Sequence, residues 1–211
     1  HALTTHYEER EVIEKLRNLA AYHILYSKIN YVFRSGGYVR TDEEHAMVEE
    51  ISEHPLIKGK NTAQSRRAAT ICFYTQGFCQ WAKRDWAQSF EKFSRAKQIL
   101  DDNPLIKADL PKRYIRTLHY LIQCLIELGR FKEARDGIKQ LRALDGQEGF
   151  AGIDIHVHIF NDSYLTELRM LDRMGEQTKA LEMVQPIITG LEELGPRLHK
   201  EYELEFYFNL A

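Results

Sequence analysis

Two segments with the same pattern, 46 residues apart, constrain the fold of this chain more than any other feature. In each, a glycine follows an apolar stretch and an alanine stands five positions later, as in Gly129 with Ala134 and Gly175 with Ala180. Glycine commonly ends a helix because it adopts the left-handed backbone conformation without steric cost. An alanine at a fixed place in the next helix allows two helices to pack closely. The pattern therefore predicts stacked pairs of antiparallel helices.

The composition of the chain is that of a globular protein rather than a membrane-spanning or nucleic-acid-binding one. Of 211 residues, 44% are hydrophobic and 28% are charged, and the net charge is -2. No apolar run approaches the roughly 20 residues needed to cross a bilayer. A charge so close to zero gives no overall attraction to nucleic acid or anionic lipid. We therefore expect a cytoplasmic protein, and the first residues carry no signal-peptide pattern.

The three cysteines do not form a zinc or redox motif. Cys72, Cys79 and Cys124 lack a C-x-x-C spacing, and three thiols cannot all pair within one chain. We interpret them as small packing residues in a reducing compartment.

Apolar residues at three- and four-residue spacing predict helices along the whole chain. The first two, at about residues 7–34 and 41–51, form an N-terminal hairpin over residues 1–61, which we interpret as a degenerate repeat or a cap. Further helices are predicted at about residues 62–83, 86–101, 111–128, 131–144, 176–194 and from 197 onwards. Residues 153–159 alternate like a strand, but helical spacing continues to Leu171, and a lone strand would have no partner. We therefore predict a helix there as well.

Several of these segments resemble the tetratricopeptide repeat family, in which a glycine precedes the turn, an aromatic residue follows it and a small residue lies in the second helix. The segment Leu128-Gly129-Arg130-Phe131-Lys132-Glu133-Ala134 carries all three features. Asp85 to Phe90 has Arg84 for the glycine and Ser89 for the alanine, and the segment after Met174 has Gln177 for the aromatic residue. The resemblance implies an all-α, right-handed α-solenoid of antiparallel helix hairpins, a TPR-like superhelix over residues 62–211 whose last unit is incomplete.

The repeat length departs from that family. The small residues Ser89, Ala134 and Ala180 lie 45 and 46 residues apart, whereas tetratricopeptide repeats have a period of 34. A period of about 40–47 is also typical of HEAT and armadillo repeats, which remain an alternative.

In such arrays the first helix of each pair lines a concave surface. Counting from the small marker residues places Ile71, Tyr74, Phe78 and Trp81 there in one unit, Arg116, His119, Gln123 and Glu127 in the next, and Asp162, Leu165, Arg169 and Arg173 in the third. We predict a partner-binding groove formed by Tyr74, Phe78, Trp81, Arg116, His119, Gln123, Glu127, Arg169 and Arg173. The aromatic residues would supply contact area, and Arg116, Arg169 and Arg173 would bind a carboxylate or a peptide backbone. The alternatives are aromatic residues buried against a neighbouring hairpin and a polar stripe that is merely solvated.

The sequence offers no catalytic or cofactor motif. His156 and His158 point to opposite sides of a helix, and there is no phosphate-binding loop, nucleophile elbow or H-E-x-x-H motif. We therefore predict a non-catalytic protein- or peptide-binding scaffold without cofactor or metal, without direct contact to nucleic acid or membrane, and with homodimerisation possible. The alternative is a sensor or dimerisation module of a larger signalling or transcription-regulatory protein.

Overall fold

The computed structural model describes residues 62–195 continuously, and before them residues 10–14, 17, 20, 24, 27, 46, 48–50, 53 and 54. Every regular element in these ranges is helical and none is a strand, so the all-α prediction is confirmed for them. The described positions within the predicted helices 7–34 and 41–51 are helical. The helix predicted from residue 197, with the incomplete last unit, lies outside the described residues.

The chain divides into two compact units, His1–Arg84 and Asp85–Ala211. The boundary in the sequence falls in the turn between the predicted helices 62–83 and 86–101. The predicted boundary between residues 61 and 62 lies at the edge of the described residues and stays a prediction.

The described helix of the first unit is α1, Ala63–Ala82. It begins at a capping box, in which the Thr62 side chain accepts from the Ser65 backbone N–H and the Ser65 side chain accepts from the Thr62 backbone N–H. This arrangement satisfies two of the N–H groups that a helix start leaves without a partner. Arg84, with a φ of 60°, turns the chain after the helix, as predicted.

The second unit contains seven helices within its described residues. They are α2 (Trp86–Asp101), α3 (Pro104–Asp109), α4 (Pro111–Glu127), α5 (Phe131–Arg142), α6 (Ile153–Met174), α7 (Gln177–Glu182) and α8 (Val184–Leu194). Helix α4 packs against α2, α5 and α6, and α5 also packs against α6. None of the helices in the described ranges has an apolar stretch long enough to cross a membrane.

The core of this unit forms around α4, whose buried face carries Ile115, Leu118, Ile122 and Ile126. Fully buried residues of the flanking helices complete it, among them Leu100, Ala134, Ile138, Leu141 and Met170. Burying an aliphatic side chain of this size stabilises the fold by roughly 1.5–3 kcal/mol. The core thus fixes α4 between its neighbours.

The repeated small and glycine residues occupy the predicted positions. Gly129 and Gly175 have φ values of 72° and 70°, the left-handed conformation that ends α4 and α6. Ser89 and Ala134 are fully buried, and Ala180 is half-buried. The turns at Gly129 and Gly175 and the close packing at Ser89 and Ala134 were therefore predicted correctly.

Three details of the helix assignment bear on the predictions. One prediction is confirmed, and two details differ from what was expected. Residues 153–160 are helical, so the helix was the right choice there. The short helix α3, which begins at Pro104, was not predicted. The single helix predicted over residues 176–194 is wrong, because α7 ends at Glu182 and α8 starts at Val184. Pro186 lacks an N–H, and its ring clashes with the carbonyl four residues earlier, that of Glu182, which explains the break.

Candidate functional site

Helices α4 and α6 lie side by side and run in the same direction. Arg116 pairs with Asp162 at 2.9 Å, and Glu127 pairs with Arg173 at 2.6 Å. Both contacts join residues 46 positions apart, at opposite ends of the helices. Equivalent positions of the sequence repeat therefore touch. We call this polar contact line, formed by Arg116, His119, Gln123, Glu127, Asp162, Thr166, Arg169 and Arg173, the α4/α6 seam.

A fully buried carboxylate lies at one end of the α4/α6 seam. Asp162 has 0% exposure, and its Oδ1 accepts hydrogen bonds from Arg116 at 2.9 Å and from the Asn161 Nδ2 at 3.3 Å. A buried charge is costly unless it is paired and hydrogen-bonded. Because the Arg116 side chain is about a third exposed, the seam connects a buried anion to the surface through one guanidinium group.

His119 is hydrogen-bonded at both ring nitrogens. The Gln123 Nε2 lies 2.8 Å from His119 Nε2, and the Thr166 Oγ1 lies 3.0 Å from Nδ1. The Thr166 hydroxyl donates its hydrogen to the Asp162 backbone carbonyl, so it accepts from the ring. These contacts are satisfied together when His119 is neutral, donates from Nδ1 and accepts at Nε2 from the Gln123 amide.

The electrostatic environment supports a neutral His119. Burial lowers the pKa of His119 below its ordinary value, Asp162 opposes this shift, and the positive charges of Arg116 and Arg169 add to it. Burial likewise lowers the pKa of His158 on the same helix as Asp162. A neutral imidazole matches the hydrogen-bond pattern, so charge and geometry agree.

Two buried oxygens in the α4/α6 seam have no hydrogen-bond donor among the described residues. They are Gln123 Oε1 and Asp162 Oδ2, and the neighbouring Asn161 Oδ1 shares this property. A buried acceptor without a donor costs roughly 1–3 kcal/mol. Such atoms are uncommon in folded proteins.

The structure separates the predicted groove residues by their pairing. Arg116 and Arg173 are engaged by Asp162 and Glu127, and His119 and Gln123 are buried rather than solvated. Arg169 differs from them because it is exposed and forms no ion pair with any described residue. Of the three predicted carboxylate-binding arginines, Arg169 is thus the one whose charge the described part of the chain leaves available.

The predicted aromatic groove residues belong to α1 in the other unit. Tyr74 and Phe78 are buried at 2% and 8% exposure, and Trp81 is half-buried. The Phe78 and Trp81 rings stack with centroids 5.8 Å apart. Their role in a groove stays a prediction.

Sequence reasoning placed Asp162 on the concave face without assigning it a role, and it missed Thr166. The available signal was the sequence separation from the polar residues of α4. Asp162 lies 46 residues after Arg116, and Thr166 lies 47 residues after His119. A hydroxyl residue between the apolar Leu165 and Leu168 was a further sign, because a buried hydroxyl needs a partner.

Residues that hold a metal ion would have to cluster, and the described ranges contain no group of three or more histidine, cysteine, aspartate or glutamate side chains suited to one. His156, which the sequence singled out, instead contacts the Asp145 carboxylate at 2.7 Å.

Comparison with models of known protein families gave no match, and comparisons with curated proteins and with solved structures gave none either. The resemblance to tetratricopeptide repeats therefore stays a prediction.

Proposed function

We propose that this protein is a non-catalytic scaffold that binds a protein or peptide along the α4/α6 seam, as part of a right-handed solenoid of TPR-like helix hairpins. The parallel packing of α4 and α6 supports this proposal, because contacts between residues 46 apart align the repeat positions into one continuous face. In helical repeat proteins such faces serve as extended binding surfaces.

One observation carries the proposal: an exposed arginine without an ion pair among the described residues lies on the face of α6 that meets α4. Arg169 follows Thr166 by three residues, about one helical turn, and Thr166 hydrogen-bonds to His119 of α4. A carboxylate of a peptide can accept two parallel hydrogen bonds from the exposed guanidinium of Arg169.

The paired residues have a different role in this mechanism. Arg116 and Glu127 each link α4 to α6 through an ion pair, so they hold the two helices at a fixed separation. A rigid binding face loses less conformational entropy when the partner binds. We therefore assign partner contact to Arg169 and positioning to Arg116 and Glu127.

The experiment that tests this function is a selection of peptides from a random displayed library with the purified chain as bait. We expect enriched peptides to contain an acidic residue that is needed for binding. Arg169→Glu should weaken the binding of a selected peptide about tenfold or more, the effect of losing one charge-assisted contact. The unfolding midpoint should not change, because Arg169 is exposed.

Arg95→Glu is the matched control, because Arg95 is exposed on α2 and donates a hydrogen bond to Gln98 on the same helix. Selected peptides that bind wild type and Arg169→Glu equally, or a selection that enriches no peptide, would exclude the α4/α6 seam as the binding face.

A further inference from the structure

A pocket of about 420 Å³ opens between α5, α6, α7 and α8, on the side of α6 away from the seam. On α6 it is lined by Tyr164, Glu167, Met170 and Leu171. At about 100° per residue these positions lie about 80–200° around the helix from Asp162. The pocket, which we call the α5–α8 pocket, is therefore separate from the α4/α6 seam, and its ligand is independent of the function proposed for that seam.

The floor of the α5–α8 pocket is apolar. Met170 and Leu171 are buried at 0% and 4% exposure, and the half-buried Tyr164 and Met183 stand beside them. Methionine is flexible and polarizable, so it adapts to ligands of different shape. A volume of this size falls within the range of roughly 300–1,000 Å³ that is usual for small-molecule sites. The floor therefore suits an aliphatic or aromatic body.

Arg142 forms one wall of the pocket, and neighbouring side chains hold its guanidinium group in place. Arg142 pairs with Glu167 at 2.6 Å, its Nε donates to the Ser163 hydroxyl at 3.3 Å, and its guanidinium lies 4.4 Å from the centre of the Tyr164 ring. Three contacts fix the Arg142 side chain, and Glu167 balances its charge. This wall contributes shape rather than free charge.

The free charges stand at the rim. Lys179 is paired with Glu176 at 2.6 Å, whereas Arg135 and Glu182 are exposed and form no ion pair with a described residue. With Arg142 balanced by Glu167 and Lys179 by Glu176, the charges left at the rim are those of Arg135 and Glu182, which have opposite signs. A guanidinium binds a carboxylate or sulfonate through two parallel hydrogen bonds, which favours an anion at Arg135.

We propose that the α5–α8 pocket binds a small amphiphilic anion, with an apolar body on the methionine-containing floor and one carboxylate or sulfonate group at Arg135. The neighbouring Glu182 opposes a second negative charge, so a singly charged ligand fits better than a doubly charged one.

The first test uses 8-anilinonaphthalene-1-sulfonate, which combines apolar rings with one sulfonate group. Its fluorescence should rise saturably with the full chain, with one site per chain. Octanoate should displace it about tenfold more effectively than octanol or octylamine, which share its chain length but differ in charge. Equal displacement by the three compounds would mean non-specific apolar binding and would overturn the proposal. More effective displacement by octylamine would assign the pocket to cations through Glu182 and would overturn it equally.

Variants locate the bound molecule. Arg135→Glu should weaken octanoate binding about tenfold, whereas Glu182→Gln should preserve or strengthen it. Arg95→Glu makes the same charge change at an exposed position of α2 and should leave octanoate binding unchanged. If Arg135→Glu and Arg95→Glu weaken octanoate binding equally, the affinity depends on the net charge of the chain and not on this pocket, and the proposal is overturned.

A spectroscopic measurement on the unmodified chain gives an independent readout. The chain has four methionines, and octanoate should shift the methyl signal of the pocket residue Met183 more than that of Met174, which packs in the core around α4. Shifts at Met174 without a shift at Met183 would place the ligand elsewhere and overturn the proposal.

Discussion

Arg116 and Asp162, 46 residues apart in the sequence, form an ion pair at 2.9 Å in which the carboxylate is fully buried. The pair joins α4 to α6. One partner is inaccessible and the other is a third exposed, so the contact is neither a surface salt bridge nor a fully buried one. Its removal therefore affects the fold more than exposed ion pairs do, which contribute roughly 0–1 kcal/mol.

Arg116→Ala should lower the free energy of unfolding by about 3 kcal/mol, because it leaves a buried carboxylate without its counter-charge. We take the low end of the usual range since the arginine side chain is partly exposed. Urea unfolding monitored by circular dichroism measures the change. The sequence predicts a role for Arg116 in partner binding, and its ion pair with the buried Asp162 predicts a contribution to stability as well.

Two comparisons make this measurement specific. Arg95→Ala, at an exposed position of α2, should change the free energy of unfolding by no more than about 0.5 kcal/mol. Arg116→Met combined with Asp162→Asn removes both charges and should destabilise less than Arg116→Ala alone. A double variant as unstable as the sum of its single variants would show that the pair is not coupled.

The free energy of unfolding should fall as the pH drops below 6.5. The pKa of His119 in the folded protein is lowered, chiefly by burial, from an ordinary value of 6.5. Between these two values the unfolded chain binds a proton that the folded chain does not, so acidification favours unfolding, by up to about 1.4 kcal/mol per pH unit. Urea unfolding between about pH 5 and 8 checks this.

His119→Gln should show a shallower pH dependence than wild type, because it removes one group that takes up a proton on unfolding. His158, whose pKa is also lowered, remains and keeps part of the slope. His156→Gln is the control at an exposed histidine that pairs with Asp145. Identical slopes for wild type and His119→Gln would contradict a neutral, buried His119.

Gly190→Ala should destabilise the second unit, by roughly 1–3 kcal/mol. A Cβ atom at this position of α8 would lie 2.2 Å from Cε2 of Phe160 on α6, so the ring would have to move. Thermal or urea unfolding detects the loss. The exposed neighbour Thr189 provides the control, since Thr189→Ala should be nearly neutral. Adding Phe160→Leu to Gly190→Ala should recover part of the stability, and no recovery would locate the strain elsewhere.

Two of the cysteine thiols should be unreactive in the folded protein. Burial raises the pKa of Cys72 to about 12 and that of Cys124 to about 11. The thiolate is the reactive form, so at about pH 8 Ellman's reagent should label neither residue. All three cysteines should react after unfolding in guanidinium chloride. Rapid labelling of Cys72 or Cys124 in the native chain, identified by mass spectrometry, would contradict their burial.

Local sequence signals predicted the helices of the second unit where such signals are strong. Pro111 lies in the first turn of α4, and Gly129 and Gly175 end α4 and α6, as proline and glycine commonly do. The break between α7 and α8 was missed even though Pro186 signals it, because the apolar spacing continues across the proline. The short helix α3 was missed because six residues are too few to show a period.

The candidate site was predictable as a set of positions but not as a set of contacts. The repeat spacing placed Arg116, His119 and Arg169 on one face. It did not predict that Arg116 is bound to Asp162 while Arg169 has no ion pair among the described residues. A helical period specifies the direction of a side chain from its own axis, whereas pairing depends on the separation and register of two helices.

The sequence by itself determined that the described chain is helical, where α4 and α6 end and which positions repeat every 46 residues, because backbone conformation at glycine and proline and the spacing of apolar residues are local properties. Tertiary structure alone decided that Asp162 is buried, that His119 is buried between Gln123 and Thr166, and that a pocket opens on the other side of α6. Burial and desolvation depend on which helices meet, and residues 46 apart meet only after the chain has packed.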